Sequence, residues 1–153
     1  MDETTTLPRA TRVLPAGAWT DASDACALDH EGRMLRRRVL RAEGGTTFLA
    51  DLPHATALAH GDALALDDGR LVEIVAADED LLEVTGPDLA RLAWHVGNRH
   101  APCRIEPGRL LIRADRVMAD MIARLGGTTR PLRAPFVPEG GAYGHGQVHG
   151  HSH

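Results

Sequence analysis

The sequence predicts an α+β chain: a small all-β domain, then a ferredoxin-like βαββαβ domain, then a disordered histidine-rich tail. Three observations carry this. The first half holds short apolar runs broken by turn signals, with few helical patterns. The second half holds two apolar stripes of helical period, each flanked by strand-like runs. The end of the chain has no arginine and is crowded with glycine and histidine. Charge follows the same partition. Residues 1–70 carry eleven acids against eight arginines, residues 71–133 nine against nine, and the remainder only Glu139. The expected units are 1–70, 71–134 and 135–153.

In the first region Met34 to Ala42 is a strand candidate followed by a Glu43-Gly44-Gly45 turn. Thr46 to Leu52 is a second, stopped by Pro53. Ala63 to Leu66 leads into Asp67-Asp68-Gly69, a hairpin signal, and Leu71 to Ala76 runs out of it. In the second region Leu81 to Val84 is a strand. Pro87 and Asp88 suit the first turn of a helix, where a missing N–H costs nothing and an acid favours the dipole. Leu89, Leu92, Ala93 and Val96 then form one stripe, and Gly97 ends it. Pro102 to Ile105 and Arg109 to Ile112 flank the Glu106-Pro107-Gly108 turn. Asp115 caps a second helix that buries Val117, Met118, Met121, Ile122 and Leu125 and stops at Gly126-Gly127. Thr128 to Leu132 supplies the last strand. The order is that of the split βαβ motif. From Pro135 onward too little apolar surface remains to offset the entropy of ordering, so a mobile tail is expected.

Composition excludes several functions. No apolar run approaches the ~20 residues that span a bilayer, and the N-terminus has neither a basic nor an apolar leader region. Two cysteines, Cys26 and Cys103, cannot make a disulfide framework, and a cytoplasmic address is expected. A net charge of −4 and an aromatic content of 3% argue against a nucleic-acid binder that works by phosphate contact or base stacking. There is no GxSxG, P-loop, HExxH or CxxC, so no enzyme is predicted. Asp78, Glu79 and Asp80 read as a solvated turn cluster. Arg33, Arg36, Arg37, Arg38 and Arg41 read as a basic outer strand face or a weak protein-docking surface.

Histidine is the conspicuous residue: nine are present, four of them within the last nine positions. His145, His149, His151 and His153 lie on a glycine-rich backbone that lets several rings turn to one ion. Neutral imidazole binds Ni²⁺, Cu²⁺ and Zn²⁺, and binding weakens as pH falls through ~6–6.5. His95 falls near the end of the first helix, off its apolar stripe, and His100 just past it; by spacing alone these two make no site. Cys103 reads as a strand thiol. His30, His54 and His60 belong to the β-region and carry no assigned chemistry.

With these residues in view, the sequence resembles the UreE family of urease accessory nickel chaperones. The carriers are residues 51–84, residues 89–126 with Gly97-Asn98-Arg99-His100, and residues 134–153 with PEGGAYGHG and the histidine tail. The resemblance implies an N-terminal partner- or peptide-binding β-domain and a ferredoxin-like domain that forms a homodimer. In that dimer His100 of each chain would bind one Ni²⁺ across the axis, with tail histidines completing the coordination or holding further ions. It also implies delivery of nickel to apo-urease together with an accessory GTPase, and no catalysis. Some relatives carry histidines where this chain has Arg113, Ala114, Asp115, Arg116 and Val117, so internal sites built on those side chains are not expected here, and a tail of only four histidines implies few ions per dimer. Two other functions compete with nickel delivery: a zinc- or copper-buffering protein without a urease role, and a peptide- or RNA-binding module.

Overall fold

The structure, a computed structural model, describes residues 7–140. Two compact units divide at Ala76/Ala77. The first contains β1 (Arg9–Leu14), β2 (Asp24–Leu28), β3 (Met34–Arg41), β4 (Thr47–Ala57), β5 (Ala63–Leu66) and β6 (Leu71–Ala76). They form one sheet in the order β2-β6-β5-β1-β4-β3. The hairpin read at Asp67-Asp68-Gly69 joins β5 to β6. Gly69 takes φ +93, and the backbone N–H of Leu66 donates to the Arg70 carbonyl at 2.9 Å. Thus β6, which charge arithmetic put into the second region, pairs with β5 and β2 in the first sheet. Phe48, Leu52, Leu64, Val72 and Ile74, all nearly or fully buried, centre its core.

Two expectations for this unit are corrected. Strands β1 and β2 have no counterpart in the sequence reading; β1 (RATRVL) is too polar to declare a period, and its pairings with β4 and β5 hold it in place. Strand β4 does not stop at Pro53 but continues to Ala57. The register with β3 jumps from Asp51 to Thr56, and β1 pairs only with Leu49 and Ala50. Pro53 therefore sits where no ladder bond is required of it.

The second unit, Ala77–Gly140, runs β7 (Asp78–Thr85), α1 (Leu89–Asn98), β8 (Arg104–Glu106), β9 (Arg109–Arg113), α2 (Arg116–Arg124) and β10 (Thr128–Pro135). The sheet order is β10-β7-β9-β8, every pair antiparallel, which is the β-α-β-β-α-β order of a split βαβ. The chain is therefore α+β. Leu92 and Val96 of α1 and Met118 and Ile122 of α2 join Leu82, Val84, Leu110 and Ile112 in one core. Leu81, Leu111 and Phe136 form a second cluster. Neighbouring strand positions point to opposite faces, so Leu81 and Leu82, and likewise Leu111 and Ile112, divide between the two.

Here too the structure adjusts the reading. Asp88 is the N-cap of α1 rather than part of its first turn, accepting from the Arg91 N–H at 3.1 Å. Asp115 caps α2 as expected, accepting from the Val117 N–H at 2.9 Å. Val117 itself is 60% exposed, since Met118 and Ile122, one turn apart, define the inward face. The expected tail does not begin at Pro135. Strand β10 extends to that residue, tolerating Pro131 and Pro135 because it lies at an end of the strand order. Phe136 is fully buried, and the Arg104 guanidinium donates to the Val137 carbonyl at 2.9 Å. Phe136 supplies the apolar area that the glycine- and histidine-rich positions after it lack.

Candidate metal centre

Helix α1 decides where the first candidate ligand stands. The sequence suggests an end at Gly97, but Gly97 is helical and the helix runs on to Asn98. Arg99 is the C-cap, and His100 follows at φ +60. The His100 N–H donates to the Gly97 carbonyl at 2.9 Å and the Ala101 N–H to the Val96 carbonyl at 3.4 Å. This pair of bonds is a Schellman motif, with His100 at its left-handed C′ position. Helix α2 ends the same way, with glycine in that place. Gly126 has φ +87 and donates to Ala123 at 3.1 Å, and Gly127 donates to Ile122 at 2.9 Å.

The comparison within one molecule is informative. A left-handed backbone costs an L-residue with a Cβ ~1–2 kcal/mol, and histidine is among the few types enriched there. Helix α1 accepts that strain to hold an imidazole at its C-terminus. His100 is exposed, and the helix C-terminus carries the negative end of the macrodipole, which favours a bound cation.

The neighbouring candidates fall into different roles. His95 is half-buried, its ring edge-on to that of Trp94 at 5.0 Å between centroids and 88° between planes. Trp94 is itself 63% exposed. A groove of about 590 Å³ runs along α2 beside the C-terminal end of α1, lined by His95, Asn98, Arg99, Asp120, Met121 and Arg124 among others. In it the Arg99 Nε–H meets the Met121 sulfur at 3.2 Å.

Cys103 is half-buried, and burial first and the Glu139 carboxylate second push its thiol up to about 11. In the metal-free chain it is therefore a neutral thiol at physiological pH. Burial likewise raises the Cys26 thiol. His60 has a structural role that its sequence context did not reveal: its Nδ1 accepts from the Ala76 N–H at 3.0 Å, joining the loop before β5 to the end of β6. His54 is exposed.

Among the described residues, no group of three or more His, Cys, Asp or Glu side chains is gathered so as to hold a metal ion. Arg113, Ala114 and Arg116 offer no imidazole, thiol or carboxylate to a metal. His145, His149, His151 and His153 lie outside the described residues. The last described segment nevertheless approaches the site in sequence terms. The Glu139 N–H donates to the Cys103 carbonyl at 2.8 Å, three positions beyond His100. The Ile105 N–H reaches the Glu139 carboxylate at 3.4 Å. Among the described residues His100 is thus an exposed imidazole outside any group of three or more ligating side chains.

Comparisons with known proteins agree with the residues that suggested the family. The description "UreE urease accessory protein, N-terminal domain" matches residues 10–77, and "UreE urease accessory protein, C-terminal domain" matches residues 79–153. A urease accessory protein UreE of Ruegeria pomeroyi is 56% identical over 147 residues, covering 96% of this chain and 99% of that relative. One of Rhodobacter capsulatus is 57% identical over 147 residues, covering 96% and 94%. One of Cereibacter sphaeroides is 52% identical over 150 residues, covering 97% and 82%.

Proposed function

This chain belongs to the UreE family of urease accessory proteins, and we propose that it is a cytoplasmic, non-enzymatic carrier that delivers Ni²⁺ to apo-urease during metallocentre assembly. The observation that carries the reading is His100, an exposed imidazole kept in a strained left-handed conformation where the other helix of the same unit uses glycine. Strain of this kind persists where a side chain serves a purpose.

In a homodimer the His100 rings of two chains meet across the two-fold axis and share one Ni²⁺, since symmetry doubles a half-site. His145, His149, His151 and His153 capture the ion and hand it over. Their segment starts within reach. Three chain steps separate His100 from Cys103, at most ~11 Å, and the six from Glu139 to His145 extend up to ~20 Å. The anchor of Glu139 on Cys103 therefore need not release for His145 to approach His100. Imidazole-only coordination without a resident thiolate suits a cargo that must leave again. The receiving partners are the urease accessory GTPase and the apo-urease activation complex. The first unit serves as the partner-binding domain.

Titration calorimetry with Ni²⁺ tests the reading on the wild type, on His100→Ala and on a chain ending at Gly144. The His100 variant loses the tightest site, about one ion per dimer, and the shortened chain loses the weaker ones. Unchanged stoichiometry and affinity in both would overturn it. Zn²⁺ and Cu²⁺ compete for imidazole, so a deletion strain supplies the biological arm: urease activity falls and returns with added nickel. Undiminished urease activity would favour zinc or copper buffering.

A further inference from the structure

The arginine cluster of β3 does something the metal reading leaves unused. On a regular strand residues five apart face opposite sides, yet Leu35 and Leu40 are both buried, at 2% and 4% exposure. The alternation breaks between Leu35 and Arg37, where the register with β4 is also broken. Such irregularities re-aim side chains. Here the result is that Arg36 and Arg37, consecutive in sequence, both reach the same carboxylate. Arg36 Nη1 lies 3.1 Å from Asp51 Oδ1, and Arg37 Nη1 lies 2.7 Å from Asp51 Oδ2. Arg9 of β1 arrives from the other side of β4, its Nη1 at 3.3 Å from Asp51 Oδ2.

Three guanidinium groups share one carboxylate, leaving two positive charges uncompensated within the cluster. Asp51 is only 18% exposed while the three arginine side chains are 50–55% exposed. Each meets Asp51 through one nitrogen, and a guanidinium has five donors. The hub therefore limits the rotamer freedom of the arginines while leaving donor capacity turned to solvent. This arrangement is pre-organised for carboxylates. Stability alone does not account for it, since surface ion pairs contribute about 0–1 kcal/mol each and one arginine would neutralise Asp51. Alongside, Arg9, Leu49 and Val39 stand in one cross-strand row. Val39 is 49% exposed, so an apolar spot sits among the cations.

We propose that this face of β1, β4 and β3 is a docking surface for an acidic, extended segment of a partner protein. Its carboxylates pair with Arg9, Arg36 and Arg37, and its apolar side chains cover Val39 and Leu49. An extended chain turns every second side chain to one face, so acids and apolar groups that alternate along that one face meet the arginines and the apolar spot together. A nucleic acid is disfavoured, because none of the residues of this surface is aromatic and could stack a base. The proposal deepens the reading of the first unit as a partner-binding domain and is independent of where nickel is held.

The test is fluorescence anisotropy of a labelled octapeptide, Glu-Ser-Leu-Ser-Glu-Ser-Leu-Ser, whose glutamates and leucines share one face when extended, titrated with the full chain. Comparators are the same peptide with glutamine for glutamate, octauridylate, and vesicles of phosphatidylglycerol and phosphatidylcholine. The double variant R36Q/R37Q weakens peptide binding about tenfold, and R91Q on α1 leaves it unchanged. Asp51→Asn strengthens binding severalfold, because it removes the internal carboxylate that competes for the same guanidinium groups. A merely structural cluster would not give that opposite sign. Equal binding by R36Q/R37Q and wild type overturns the proposal. So does weakening by Asp51→Asn, or RNA or vesicle binding as tight as the peptide's with the same arginine dependence. Nickel stoichiometry, measured on every variant, stays at the wild-type value, so failure here and failure of the nickel reading are separable.

Discussion

Replacing His100 by glycine should make the metal-free protein more stable while removing its tightest nickel site. His100 occupies the C′ position of a Schellman motif at φ +60, and Gly126 occupies the equivalent position of α2 at φ +87. Relieving the left-handed strain of a residue with a Cβ returns ~1–2 kcal/mol. Glycine gives back ~0.4–1 kcal/mol through the greater freedom of the unfolded chain. No described hydrogen bond of the His100 side chain offsets the change; its backbone N–H keeps the Gly97 carbonyl in either variant. The net expectation is a gain of roughly 0.5–1 kcal/mol, or ~2–8 °C in the melting temperature of a unit this small. The assay is urea and thermal unfolding in the presence of chelator. It is followed by Trp94 fluorescence in a Trp19→Phe background, so that the signal reports the second unit alone. Nickel titration of the same samples gives the second readout. A destabilised His100→Gly protein would refute the strain argument, and undiminished nickel affinity would refute the assignment of the ligand.

Two further outcomes follow from titratable groups. Asp24 accepts from the backbone N–H groups of Ala25, Gly44 and Thr46 at 2.8, 2.7 and 3.2 Å. These bonds, with that from the Thr46 side chain first among the causes, hold its carboxyl down at about 2 against the ordinary 3.8. A depressed folded-state value means the stabilisation is present above the ordinary range and is lost as pH falls from ~4 toward ~2. Asp24→Asn should therefore flatten the acid limb of a pH–stability curve in that window, and an unaltered slope would count against the bond set. Cys103, with its thiol raised from 9.0 to about 11, should react with iodoacetamide at pH 8 roughly a hundredfold more slowly than an unperturbed thiol. Mass spectrometry in a Cys26→Ser background reads this directly. Cys103→Ser should leave nickel binding as it was, and a loss would restore the thiol as a ligand.

Much of the second unit was legible because its signals are local. The helix stripes at Leu89, Leu92, Ala93 and Val96 and at Met118 and Ile122, the cap at Asp115 and the turn at Glu106-Pro107-Gly108 depend on neighbours a few residues away. The β5–β6 hairpin was legible for the same reason. Strand β1 was not, since its place between β4 and β5 rests on partners far along the chain. Val117 was misassigned as buried because the edge of a helical stripe is set by what it packs against. Of the candidate ligands, the tail histidines were visible as composition. His100 was visible only through its resemblance to a family, because histidine five positions after histidine carries no signal of its own.

The sequence by itself determined the α+β class, the order of elements in the second unit, and the imidazole chemistry available to the chain. These follow from periodicity, capping residues and composition, which act over a turn or two of backbone. The tertiary structure decided that α1 passes through Gly97 and ends on a left-handed His100. It also decided that Phe136 to Glu139 lie anchored before the histidine tail begins, and that Arg36 and Arg37 share Asp51 rather than alternating across β3. Each of these depends on register and packing between segments distant in sequence, where a shift of one residue turns a side chain to the opposite face.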